Sequence, residues 1–519
     1  MLRKLGFILA LAIVLRVGFL AKSPPELFGD EVDVGYQAYS LLKTGQDIYR
    51  QTLPFYIHSL AEWRAPLLMY ATVPTIAIAG LNEYGVRLPE VIFGVLGIAI
   101  LFLLTKKYSV ALALAILPWH IHYSRAAFEV VLMLDLIMLG TLLFLKRRFA
   151  LGFLMFALSL YTYSTAMLFV PLWVGYLLIK EKALPIWQGL IFGVLIAPLL
   201  YFVFLGPARD RFGILSLGNN REIIDKVFTL RKESSSPYIK FFINKYFMVG
   251  GEWFMNYLRP FSSEFLFVRG DPVMRHSIQV IGQLLPLTAP FLLIGLYVLA
   301  KKRQWMWLVW LALSPIPASL TSDGGYHATR LFLMIPPLTI AIGTGLSQIK
   351  NRFLIFAIYL LIFLQLIWVG YYYLNHYSKQ SWRWWAVGYE DSLTALNKLS
   401  PDYSRVFINN TYEPSLIRFL FWTKYDPVKF HKEFTIDQPT KNIVTNYDGF
   451  SLDGKYFFGN FAKNDWMNTL LPNSLYMISQ RDNVAGDWDW RKTPPVGVKV
   501  LFTSTNAYDQ PIFYLITKI

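Results

Sequence analysis

The stretch FGDEVDVGY, residues 28–36, places Asp30, Glu31 and Asp33 within four positions, just after an apolar run. Acids are expensive beside hydrocarbon, so carboxylates kept there call for a reason. A carboxylate at a membrane surface can take the proton of an attacking hydroxyl, orient a substrate or bind a cation. A solvated loop flanking an anchor is the competing reading. Asp30 and Glu31, with Tyr36 beside them, form the first candidate group, and Asp33 reads as structural.

Cationic residues recur at the starts of apolar segments. Arg64, in EWRAPLLMY, immediately precedes a proline-started apolar run, and Arg87, in NEYGVRLPE, opens the next. A guanidinium beside the unpaired N–H groups of a helix start suits phosphate, although an interfacial arginine reaching headgroups has the same signature. WHIHYSRAAFEVVLMLD, residues 119–135, gathers His120, His122, Arg125 and Glu129 at a helix junction, with Asp135 inside the apolar run. The two histidines could ligate a metal, but their spacing is weak evidence, and an Arg125–Glu129 structural pair competes with a substrate role. Arg269, Arg275 and His276 form a cationic cluster suited to a lipid phosphate, and DGGYHATR adds Tyr326, His327 and Arg330.

These groups need a scaffold, and composition says which kind. The 519 residues are 55% hydrophobic and only 16% charged, against about 25% charged in soluble domains. Candidate spans cover approximately 5–21, 66–81, 85–104, 109–122, 126–145, 150–163, 165–180, 185–205, 283–300, 304–320, 330–347 and 353–373, many near the ~20 residues that cross a bilayer. The net charge of +16 lies in short clusters between them, such as Lys146-Arg147-Arg148 and Lys301-Lys302-Arg303. That is the positive-inside pattern of a multi-pass membrane protein rather than a nucleic-acid footprint. Twelve spans conflict with an amino terminus on the basic side, so one stretch between 66 and 124 fails to cross or a span is missing. The absence of cysteine excludes disulfides, thiolate catalysis and Cys-ligated metals. The first apolar segment lacks a small-x-small cleavage site and reads as a retained anchor.

Three regions stand outside the spans: 22–65, a first outer loop with membrane-surface helices; 206–282, a long outer loop; and 374–519. In the last, SRVFIN, KYFFGNF, NSLYMIS and VKVLFT alternate with turn residues and predict an extracytoplasmic α/β domain. The expected division is a membrane domain, 1–373, and a soluble domain, 374–519.

The order of GDE (29–31), RAPLLMY (64–70), GLNEYGVRLPE (80–90), FSSEFLFVRGDPVMRHS (261–277) and RLFLMIPPL (330–338) resembles the polyprenyl-phosphate-dependent GT-C glycosyltransferases. The relatives are the protein O-mannosyltransferases and the lipid A aminoarabinose transferase. The resemblance covers the membrane part and implies a GT-C fold with inverting transfer from a polyprenyl-phosphate sugar. Asp30 would be the base and Glu31 a supporting carboxylate. Arg64, Arg87 and Arg275 with His276 would contact the donor phosphate, while Tyr36, Arg125, Glu129, Tyr326, His327 and Arg330 are candidates for substrate binding. Departures are visible: Ala65-Pro66 replaces the double proline of the aminoarabinose branch, and Trp63 stands where that branch has Glu.

A lipid phosphate leaves with its charge, so arginines can replace the metal that nucleotide-sugar enzymes often use; no obligatory metal or cofactor is expected. The expected partners are a lipid-linked sugar donor, membrane lipids, and a protein or cell-envelope lipid or glycan acceptor offering a hydroxyl or phosphate, with no nucleic acid. The expected location is the cell membrane, with the site and soluble domain outside. A lipid-linked glycan flippase or polymerase, or a membrane sensor with a ligand-binding outer domain, are the alternatives.

Overall fold

A computed structural model describes residues 2–59, 63–206, 217–434, 439–462, 466–482 and 489–519. The chain opens with α1 (Leu2–Val17). The acidic stretch then starts a second helix, α2 (Gly29–Thr44), where a loop with surface helices was expected. Phe28 caps it in extended conformation, Asp30 and Glu31 occupy its first turn, and Gly45 closes it at φ 73°. Acids at a helix start and a left-handed glycine at its end are the local signals that frame it. A two-residue ladder follows, β1 (Ile57–His58) against β2 (Trp63–Arg64), and pairs Ile57 with Arg64.

The apolar helices are α3 (Leu67–Ala79), α4 (Glu83–Thr105), α5 (Tyr108–Ala115), α6 (Pro118–Tyr123), α7 (Val130–Leu145), α8 (Phe149–Leu160), α9 (Ala166–Glu181) and α10 (Ile186–Phe204). Among the described residues three helices are long and apolar enough to cross a membrane: Glu83–Thr105, Ile186–Val203 and Arg352–Gln380. The stretch 109–122, expected as one span, is instead two short helices interrupted before Pro118. The eight residues of α5 rise only about 12 Å, too little for a ~30 Å hydrocarbon core.

The segment expected as a long loop carries α11 (Arg221–Glu233), α12 (Pro237–Phe242) and α13 (Lys245–Leu258); residues 207–216 lie outside those described. Then come α14 (Ala289–Lys301), α15 (Trp305–Leu313), α16 (Ile316–Ser319), α17 (Ile335–Leu346) and α18 (Arg352–Tyr372), with a π-helical turn carrying the last helix on to Gln380. The α14–α17 contact is a small-residue interface. A Cβ on Gly295 would come within 1.8 Å of the Ala341 carbonyl oxygen, and one on Gly345 within 2.0 Å of that of Phe291. Such close backbone approach is how helices associate where lipid removes the hydrophobic drive.

The carboxy-terminal region adds α19 (Tyr389–Leu399), β3 (Arg405–Asn409), α20 (Leu416–Trp422), α21 (Pro427–Glu433), β4 (Thr440–Val444), β5 (Tyr447–Leu452), β6 (Tyr456–Phe461), β7 (Ser474–Ser479), β8 (Val498–Thr505) and β9 (Pro511–Lys518). The sheet order is β4-β5-β6-β3-β7-β9-β8, with β3 parallel to both neighbours and the other pairs antiparallel. Alternation along β3 sends Phe407 to one face and Val406 and Ile408 to the other. The Val406–Ile408 face shares its core with Val32, Val34 and Tyr36 of α2 and with Leu68 and Val86 of the helices that follow. The acidic helix is therefore built into the core of the carboxy-terminal domain, and this fixes where its first turn points.

Candidate active site

At the start of α2, Asp30 is half-exposed and lines a cavity of about 240 Å³. Arg64, held by the β1–β2 ladder, donates from Nη2 to Asp30 Oδ1 at 2.5 Å. Its Nε lies 3.7 Å from Asp33 Oδ2 and its Nη1 3.9 Å from Glu129 Oε1. Asp33, one helical turn beyond Asp30, thus faces the same arginine. Glu129 reaches the cavity from the start of α7 with a left-handed backbone, φ 58°. A non-glycine residue there costs energy, and such strain clusters at sites of action.

Arg275, His276, His327, Thr329 and Arg330 line the same cavity from the loops before α14 and α17. Arg275 donates from Nε to the Trp384 carbonyl at 2.9 Å, with its guanidinium 4.6 Å from the Phe28 ring centre. Arg330 pairs with Asp323 and donates to Thr321 Oγ1 at 2.6 Å. Asp271 ties the two loops, accepting from Val273 N and Ala328 N at 2.8 Å each. Burial pushes its carboxyl up to about 7. His276 Nδ1 lies 3.2 Å from both Tyr123 Oη and Thr329 Oγ1, and its ring packs 4.9 Å from that of His327. Burial, with neighbouring cations, lowers both imidazoles, that of His327 to about 4. At neutral pH these rings are uncharged hydrogen-bonding groups, and the positive charge of this side comes from Arg275 and Arg330.

No family model matches the chain, and no curated protein matches it. Among solved structures the chain is similar to the crystal structure of ArnT from Cupriavidus metallidurans in the apo state. That likeness covers 98% of this chain and 97% of the other at 12% identity, with a TM-score of 0.40. The roles below rest on this chain's own geometry.

Several expected site residues lie elsewhere. Glu31 and Arg87 are fully buried and form a two-pronged pair, Nε to Oε1 at 2.9 Å and Nη2 to Oε2 at 3.1 Å. Arg87 also donates to the carbonyls of Leu20, Pro24 and Glu26, and Glu31 accepts from Phe28 N and Ala127 N. Neither lines the cavity: consecutive residues on a helix diverge by about 100°, so Asp30 and Glu31 serve different sides. Arg125 spends its donors on the carbonyls of Leu15, Arg16, Phe19 and Ser23. Tyr36 is buried and donates to the Tyr425 carbonyl. Tyr326 packs near Phe265, outside the cavity lining.

The two histidines considered as metal ligands part company. His120 Nδ1 meets Arg16 at 2.8 Å, whereas His122 contacts Tyr373 Oη and the Arg275 carbonyl. Among the described residues no three His, Cys, Asp or Glu side chains come together as a metal site. Sequence reading overlooked Thr162, Tyr163 and Ser164, which line the cavity between α8 and α9. Their signal was the hydroxyl run YTYST at a break between apolar segments.

Proposed function

We propose that the chain is an inverting glycosyltransferase of the GT-C type, moving a sugar from a polyprenyl-phosphate carrier to a hydroxyl acceptor at the outer membrane face. The observation that carries this reading is the shared cavity, whose lining includes both a half-exposed carboxylate, Asp30, and the guanidiniums of Arg275 and Arg330. A direct displacement needs both kinds of group. Asp30 takes the acceptor O–H proton as the acceptor oxygen bonds to the anomeric carbon. The bond from that carbon to the phosphate oxygen breaks, its electron pair stays with the phosphate, and the arginines stabilise the charge there. Single displacement inverts the anomeric centre. Arg64 orients Asp30, and Thr162, Tyr163, Ser164 and Glu129 offer hydroxyl and carboxylate partners to the sugar.

The experiment is to feed membranes containing the protein with labelled polyprenyl-phosphate sugars. Label passing to an acceptor, and failing to pass with Asp30→Asn while the donor still binds, is the expected result. Movement of intact donor across the bilayer without transfer would favour a transport protein and overturn the reading.

A further inference from the structure

We propose that segment 377–390, which leads from the last membrane helix into the carboxy-terminal domain, is a strap that sets Asp30 and Arg275 relative to one another, with Glu26 as its positioning residue. The kinetic consequence rests on the glycosyl-transfer reading above; the structural claim stands apart from it.

The strap grips both loops that build the cavity. On the Arg275 side, the Trp384 carbonyl accepts from Arg275 Nε at 2.9 Å, and Tyr377 Oη donates to the Met274 carbonyl at 2.5 Å. Tyr377 is itself fixed by Trp385 Nε1 at 2.8 Å. On the Asp30 side, the Glu26 carboxyl oxygens accept from Gly388 N at 2.7 Å and Glu390 N at 2.8 Å, while the Glu26 backbone carbonyl accepts from Arg87. The side chain of Glu26 thus caps the first turn of α19 from another domain, filling donors that a helix start leaves open. Arg418 of α20 adds a hydrogen bond to the Leu27 carbonyl. Between the two grips sits Phe28, whose ring meets Trp385 edge-on at 5.4 Å and Arg275 at 4.6 Å. Glu26 is buried, four residues before Asp30, and lies outside the cavity lining. A carboxyl group taken out of water to bond two backbone amides of a distant segment costs more than a surface linker would require. What it secures is the placement of Phe28 and Asp30 against the Arg275 loop.

The test uses the full chain in lipid nanodiscs, with Glu26→Ala, which removes both acceptors, and the milder Glu26→Gln, which keeps one. Hydrogen exchange read by mass spectrometry needs no ligand. Faster exchange in 27–31 and 274–276 together is expected; a rise confined to 386–391, or none, overturns the strap. In the transfer assay kcat per folded molecule should fall about 10- to 100-fold for Glu26→Ala. The donor KM should change less than kcat, and Glu26→Gln should recover part of the loss. Unchanged kcat per folded molecule would also overturn it. If the wild-type protein transfers no sugar, the function reading fails while the exchange arm still judges the strap.

Discussion

Arg64 and Asp30 meet at 2.5 Å at the cavity's edge, with Asp33 and Glu129 within 4 Å of the same guanidinium. The arginine expected from sequence at the donor phosphate is thus the hub of an acidic side. Its planar fork can hold carboxylates in fixed directions, which a lysine cannot do. On the proposed reading, the charge that faces the phosphate comes from Arg275 and Arg330, which line the same cavity.

Asp30→Asn should lower kcat by roughly 10²- to 10⁴-fold, the usual contribution of a general base. Because Asp30 is half-exposed, the melting temperature should hardly move. Wild-type turnover by the purified variant would remove Asp30 from the chemistry.

For Arg275→Ala the loss should appear in donor binding. A charge-assisted hydrogen bond contributes about 1.5–3 kcal/mol, so affinity for a polyprenyl phosphate should drop about 10- to 100-fold. Titration of the lipid against intrinsic fluorescence measures it. Arg330→Ala should act in the same direction, and Arg269→Ala, at an exposed side chain outside the cavity lining, should not.

Glu31→Gln separates a structural carboxylate from a catalytic one. It leaves the fully buried Arg87 without its ion-pair partner, a change that typically costs about 3–5 kcal/mol. Thermal unfolding in detergent should come at clearly lower temperature, while turnover per folded molecule stays near wild type. A stable but inactive Glu31→Gln protein would restore the catalytic role.

Stability should also depend on pH through Glu26. Burial, with Glu390 nearby opposing the Gly388 and Glu390 amides and Arg418, raises its carboxyl from 4.5 to about 8. The folded chain then binds a proton that the unfolded chain has released, so this contribution is full below pH 4.5 and is lost as pH rises through about 8. Melting temperatures measured from pH 5 to 9 should fall with pH, and Glu26→Gln should flatten the slope. A slope identical in the variant would show that Glu26 does not titrate there.

How much of this was legible follows physical lines. The β-runs at 404–409, 455–461 and 473–479 were readable because alternation and turns are local, and β3, β6 and β7 fall there. β9 was missed although Pro511–Lys518 is largely buried; nearly unbroken apolar character gives no period to read. Helices were expected within 22–65, but the bounds and burial of α2 were not legible: three acids and two glycines depress its apolar signal, and it packs against a domain more than 350 residues away, where Tyr36 bonds Tyr425. For the candidate site, residue types singled out loops that the fold brings together: Asp30, Arg64, Glu129, Arg275, His276, His327 and Arg330 line one cavity. Glu31, Arg87 and Arg125 carry the same chemistry in the sequence, and only their saturation by buried carbonyls and by one another distinguishes them.

The divergence of Asp30 and Glu31 constrains how this chain can vary. One carboxylate faces an open cavity and its neighbour a fully buried guanidinium, and both directions are set by a single helical phase. Insertion or deletion of one residue between Glu31 and Tyr36, where α2 enters the shared core, would rotate both acids by about 100° against that core, carrying one acid out of the cavity and pulling the other off its arginine. Point changes can be absorbed one at a time at this turn, but changes in its length cannot, so related sequences should differ in spelling here and agree in spacing.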